Sequence, residues 1–108
     1  MTAYIPPKHP GEILLERFLI PLGITQLVLS KDVNIPLRRI NEICRGKRSM
    51  TPETAFRLAI YFQMSPEVWL VMQHRYELEL IKQKDAVRLR REVRPFSGVI
   101  GDIAACCQ

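Results

Sequence analysis

The sequence predicts an all-α domain of five helices, the fifth of them long, followed by a C-terminal tail. Three observations carry that prediction. Apolar residues recur at intervals of three and four through nearly all of residues 10–84. Two segments, Thr51-Pro52-Glu53 and Ser65-Pro66-Glu67, join a capping hydroxyl, a proline for the first helical position and an acid for the first turn. No stretch alternates convincingly as a strand would.

The elements follow in order. Residues 1–9 read as an irregular N-terminal arm punctuated by Pro6-Pro7. The first helix begins at Pro10, carries Ile13, Leu14, Phe18 and Leu19 on its apolar side, and stops at Pro21 and Gly23. Thr25 is placed to cap the second helix, where Leu29 and Val33 share a face with Leu27 or Ser30 beside it. Asn34 suits a left-handed terminator. Ile35-Pro36 opens a third helix with the stripe Leu37, Ile40, Ile43 and Cys44, closed by Gly46. The fourth turns Ala55, Leu58, Ala59 and Phe62 inward, and the fifth sets Trp69, Met72, Tyr76 and Leu80 on one stripe, running to about Lys84 or as far as Glu92. The organisation is an arm at 1–9, a folded domain at 10–84 and a basic extension at 85–108, expected to be flexible or ordered by a partner.

Bulk properties narrow the function. A chain of 108 residues with 47% apolar and 25% charged residues is an ordinary single globule. No unbroken apolar run exceeds five residues, so no membrane span or signal-peptide core is expected, and the reading is cytoplasmic. The three cysteines, Cys44, Cys106 and Cys107, and the histidines, His9 and His74, make no metal-ligand spacing. Cys44 reads as a small buried residue and the adjacent pair as reduced thiols. No glycine-rich phosphate loop or evident carboxylate pair suggests an enzyme, and no metal or cofactor is expected. The net charge of +5 favours a polyanionic partner.

That charge is concentrated. Between Arg38 and Arg48 five cations (Arg38, Arg39, Arg45, Lys47 and Arg48) face a single acid, Glu42. The tight turn Asn34-Ile35-Pro36 forces the second and third helices to cross steeply, with the small Ser30 near the crossing. These features, with apolar Leu29, Val33, Ile35, Ile40 and Ile43, span Gln26 to Arg45 and resemble the helix-turn-helix of the phage-repressor (Xre-like) superfamily. That superfamily usually has alanine at the position of Ser30 and glycine at that of Asn34. On such a motif the third helix reads the DNA major groove. Leu37, Arg38, Arg39, Asn41 and Glu42 are the candidate base-reading residues: arginine for guanine, Asn41 for adenine, Glu42 for cytosine, Leu37 for a thymine methyl. Thr25, Gln26, Arg45, Lys47 and Arg48 suit phosphate contacts.

The segments "HPGEILLERFLIPLGITQ" (9–26), "GKRSMTPETAFRLAIYF" (46–62) and "SPEVWLVMQ" (65–73) further resemble HigA-type, or VapI-like, antitoxins. The resemblance implies a homodimer that binds a palindromic operator in double-stranded DNA, represses its own operon and neutralises a RelE-like toxin, a ribosome-dependent mRNA endonuclease. It also implies that the fifth helix helps form the dimer. "VWLVM" is apolar on every side of a helix, more than one small globule buries easily, so Val68, Trp69, Val71, Met72 and Tyr76 are the expected dimer interface. The tail, with Arg88, Arg90, Arg91 and Arg94, aligns with no feature of that family. The alternative is a solitary Xre-like regulator without a toxin partner.

Overall fold

The structure, a computed structural model, describes residues 7–99. Each helix starts and stops where its local chemistry dictates. α1 spans Pro10–Leu22. His9 caps it in an extended conformation, its Nδ1 accepting the Gly11 N–H at 2.9 Å. Pro10 occupies the first turn, where its missing N–H costs nothing. Midway the helix widens: the Ile20 N–H bonds the carbonyl of Leu15, five residues back. The widening sits directly before Pro21, which has no N–H to donate and whose ring presses on the preceding turn. It also brings Leu14 and Leu19, five residues apart, onto one fully buried side. Gly23, left-handed at φ 69°, ends α1.

α2 (Gln26–Val33) begins at Thr25, whose hydroxyl accepts the Val28 N–H at 3.1 Å. Its axis turns 103° from that of α1. It ends at Asn34, as the sequence predicts, with φ 56° and ψ 49°. The Ile35 N–H then reaches back to Ser30 O at 3.1 Å, which closes the last turn. Only Asn34, Ile35 and Pro36 separate α2 from α3 (Leu37–Cys44). α3 buries Ile40, Ile43 and Cys44 and stops at Arg45 and the left-handed Gly46. Leu37, expected on the apolar stripe, is 43% exposed instead. It is the first residue of the helix, and its side chain leans outside the turn that packs inward.

α4 (Pro52–Phe62) starts as expected, with Thr51 Oγ1 accepting the Thr54 N–H at 3.3 Å. Thr54, Ala55, Leu58 and Ala59 face inward. The terminator is Gln63, left-handed at φ 56° without being glycine. α5 (Pro66–Lys84) departs from the expected cap: the Ser65 hydroxyl donates to the Glu67 carboxylate and makes no bond to the helix backbone. Asp85 interrupts the helical run, and a short α6 (Ala86–Glu92) occupies part of the extension expected to be flexible. The apolar end of the tail and Cys106 and Cys107 lie outside the described residues, as does most of the N-terminal arm.

Trp69 is the centre of the core. It is fully buried, packs against Phe18 with ring centroids 5.1 Å apart, and sits among Leu14, Leu19, Leu29, Ile40, Ile43 and Leu58. α1 and α5 together clasp the end of α3. At Gly11 the backbone of α1 lies so close to α3 that an added Cβ would come within 1.6 Å of the Ile43 carbonyl oxygen. From the other side Gln73 of α5 accepts the Met50 N–H at 2.7 Å, fixing the α3–α4 connection. No helix among the described residues is long and apolar enough to cross a membrane by itself.

Candidate nucleic-acid interface

The core grips one side of α3 and leaves the other open. Ile40, Ile43 and Cys44 are buried while Leu37, Arg38, Arg39, Asn41 and Arg45 are exposed. The polar side of this eight-residue helix, about two turns long, therefore points outward while its position is fixed from behind. The five expected base-reading residues fall into two groups. Leu37, Arg38, Arg39 and Asn41 stand free of the protein interior. Glu42 is partly covered, because two arginines close over it.

Glu42 is the electrostatic centre of the surface. Its Oε1 accepts from Arg48 Nε at 2.9 Å, and Arg48 Nη2 lies 2.9 Å from the same oxygen. Arg38, one turn earlier on α3, sits 3.7 Å from Oε2. The side chain of Arg38 remains 90% exposed and that of Arg48 about half so, so neither pair is a strong brace. Pro36, Arg38, Arg39, Glu42 and Arg48 line a shallow cleft of about 320 Å³. Glu42 thus faces arginines at least as much as it offers itself to a base, and Arg48, expected at phosphate, begins from an ion pair. Among the described residues Arg39, Arg45 and Lys47 have no carboxylate within ion-pair reach.

A contact across the elbow ties the two helices' polar faces together. Asn41 Nδ2 donates to Gln26 Oε1 at 3.2 Å. The bond takes the amide oxygen of Gln26 and one hydrogen of Asn41, and leaves the Asn41 oxygen and the Gln26 amine facing out. A carboxamide that pairs bidentately with adenine uses one donor and one acceptor, and this contact restricts which way Asn41 can turn. The sequence reading placed Gln26 and Asn41 in separate roles; their fifteen-residue separation gave no signal until the elbow folded them together. Thr25 keeps its hydroxyl hydrogen for a partner, since the cap uses only the oxygen.

The expected dimer residues divide as well. Val68 and Val71 are 44% and 55% exposed, Met72 is half-buried against the protomer's own core, and Tyr76 is half-buried beside the His9 ring. Trp69 is a correction: at 0% exposure it belongs wholly to the protomer interior and presents nothing to a partner. Its stripe was read correctly, but the largest ring on it goes where α1, α4 and α5 converge.

Over residues 15–69 the chain matches the helix-turn-helix family. It is 43% identical over 79 residues to virulence-associated protein I of Dichelobacter nodosus, covering 73% of each chain. An addiction-module antidote protein of the HigA family from Coxiella burnetii superposes with a TM-score of 0.78 at 37% identity, over 85% of this chain and all of that one. The Pseudomonas aeruginosa antitoxin HigA, solved with the higBA promoter, superposes with a TM-score of 0.78 at 30% identity, over 83% of this chain and 98% of that one.

Proposed function

This chain belongs to the helix-turn-helix family, and from that premise we propose that it is a HigA-type antitoxin: a homodimeric, sequence-specific DNA-binding repressor of its own operon that also neutralises a RelE-like mRNA endonuclease. The observation that carries the DNA-binding part is the exposure of Leu37, Arg38, Arg39 and Asn41 on a helix whose opposite side, Ile40, Ile43 and Cys44, is buried. Arg39, Arg45 and Lys47 supply cationic contacts to phosphate, and Arg38 and Asn41 supply base discrimination, each good bidentate pair being worth about 1–3 kcal/mol. Similarity to a HigA protein solved with promoter DNA supports the DNA-binding reading. The antitoxin role and its toxin rest on the likeness to HigA proteins.

A homodimer with Val68 and Val71 at its interface presents two copies of α3, and paired reading helices of this motif engage half-sites about 34 Å apart, one turn of duplex, on a palindrome. The test is electrophoretic retardation of DNA from upstream of the chain's own gene, with and without the neighbouring gene product. Selective, salt-sensitive retention of a palindromic fragment is expected. Equal retention of every duplex would remove the repressor reading, and failure to rescue growth from any co-expressed RelE-like toxin would remove the antitoxin reading.

A further inference from the structure

α3 is clasped at its end by a segment that carries a buried titratable ring. His9 is 3% exposed, on the edge of α1 that meets both the α3–α4 connection and α5. Its Nδ1 accepts the Gly11 N–H at 2.9 Å, and its ring stands edge-on to Tyr76 of α5 with centroids 5.1 Å apart. A Cβ built on Gly46 would lie 3.6 Å from His9 Cβ, so the ring's base abuts the left-handed turn directly behind Arg45. Two residues further on, Gly11 presses on the Ile43 carbonyl. One imidazole therefore touches, directly or through one residue, the last turn of α3, the loop bearing Arg45, Lys47 and Arg48, and the middle of α5.

We propose that His9 is a positioning residue for DNA reading: its neutral ring locks the start of α1 against the end of α3, and a proton on Nδ1 opens the lock. The inference rests on the DNA-binding reading above. A proton on Nδ1 turns the acceptor into a donor facing the Gly11 N–H, and two donors at that distance repel. The α1 cap is lost, the first turn of α1 withdraws, and the backbone wedge at Ile43 loosens. The charged groups facing the ring are Glu12 of α1 and Glu77 of α5, which favour the proton, while burial opposes it more strongly and holds the imidazole below its usual range. The lock is thus closed above pH 6.5, the ordinary histidine value, and opens as pH falls through the lowered value of the buried ring.

The test combines operator affinity between pH 5 and pH 8 at fixed salt with an NMR titration of the free protein. His9→Ala, which deletes the cap, is expected to weaken operator binding roughly five- to tenfold at every pH. Wild type is expected to lose affinity by a similar factor as pH falls below the His9 midpoint, with far-UV circular dichroism retained. His9→Asn restores an uncharged cap acceptor, and its affinity should change by less than about twofold across the same range. In the DNA-free titration the amide signals of Arg45, Gly46 and Lys47 should move with the midpoint of the His9 ring. Parallel pH profiles for wild type and His9→Asn, or amides that ignore the His9 midpoint, overturn the proposal. Amides that follow His9 in a protein retaining no duplex would instead overturn the DNA-binding reading and leave the lock standing.

Discussion

At the scale of single residues, the interface depends on pairs that hold reading groups in one attitude. Asn41 is oriented by Gln26 through a 3.2 Å bond at the surface. Gln26→Ala should cost about 1 kcal/mol of discrimination at the base Asn41 faces, with nonspecific DNA affinity nearly unchanged. Competition between operator and random duplex measures this; an equal loss on both would assign Gln26 to phosphate alone. Cys44 shows the opposite kind of residue, inert by burial, which pushes its thiol up to about 11. The thiolate is the reactive form, so alkylation followed by peptide mass analysis at pH 8 should leave Cys44 unmodified while the fold is intact. Modification would begin only in denaturant or as pH approaches that value.

At the scale of elements, stops matter as much as starts. Glycine ends α1 and α3, whereas α2 and α4 end on left-handed Asn34 and Gln63. A glutamine gains nothing from that conformation, so Gln63→Gly should stabilise the protein by about 1 kcal/mol, read as a rise in urea midpoint at constant slope. Gly11 is the reverse case. Gly11→Ala would drive a methyl into the Ile43 carbonyl and should cost about 3 kcal/mol or more, measured in the same unfolding experiment. The five main helices, the Asn34 elbow and the Thr51 start were legible in the sequence because each is a local event of cap, period and terminator. The end of α5 at Lys84 was among the expected ends, but the widened turn before Pro21 and the separate short helix after Asp85 were not legible. The first answers to where Leu14 and Leu19 must point at once, a tertiary demand, and no strong breaker marks the second.

At the scale of the whole molecule, the cationic side of α3 and the outer edge of α5 are two surfaces the core leaves open. A double change, Val68→Asp with Val71→Asp, should leave the protomer folded, since both side chains are about half exposed, while sedimentation shifts toward monomer. Operator affinity should then fall by at least tenfold, because two half-sites no longer act together. Unchanged sedimentation would place the two-fold contact elsewhere. The candidate site was largely legible for the same reason that it is exposed: charge on one side of a short amphipathic helix survives in a linear reading. What that reading missed depends on three-dimensional neighbours. Trp69 reads as an interface residue because "VWLVM" is apolar on every side of a helix, and a linear reading does not say which of those sides lies under other helices. His9 and Gly46, thirty-seven positions apart, became partners only when α1 closed on α3.

The seat of Gly11 against Ile43 has a genetic corollary. A screen for alleles that repress at low temperature and fail at high temperature would return lesions along that backbone seam, far from any nucleotide, because a lesion there would loosen the reader's rear anchorage on warming.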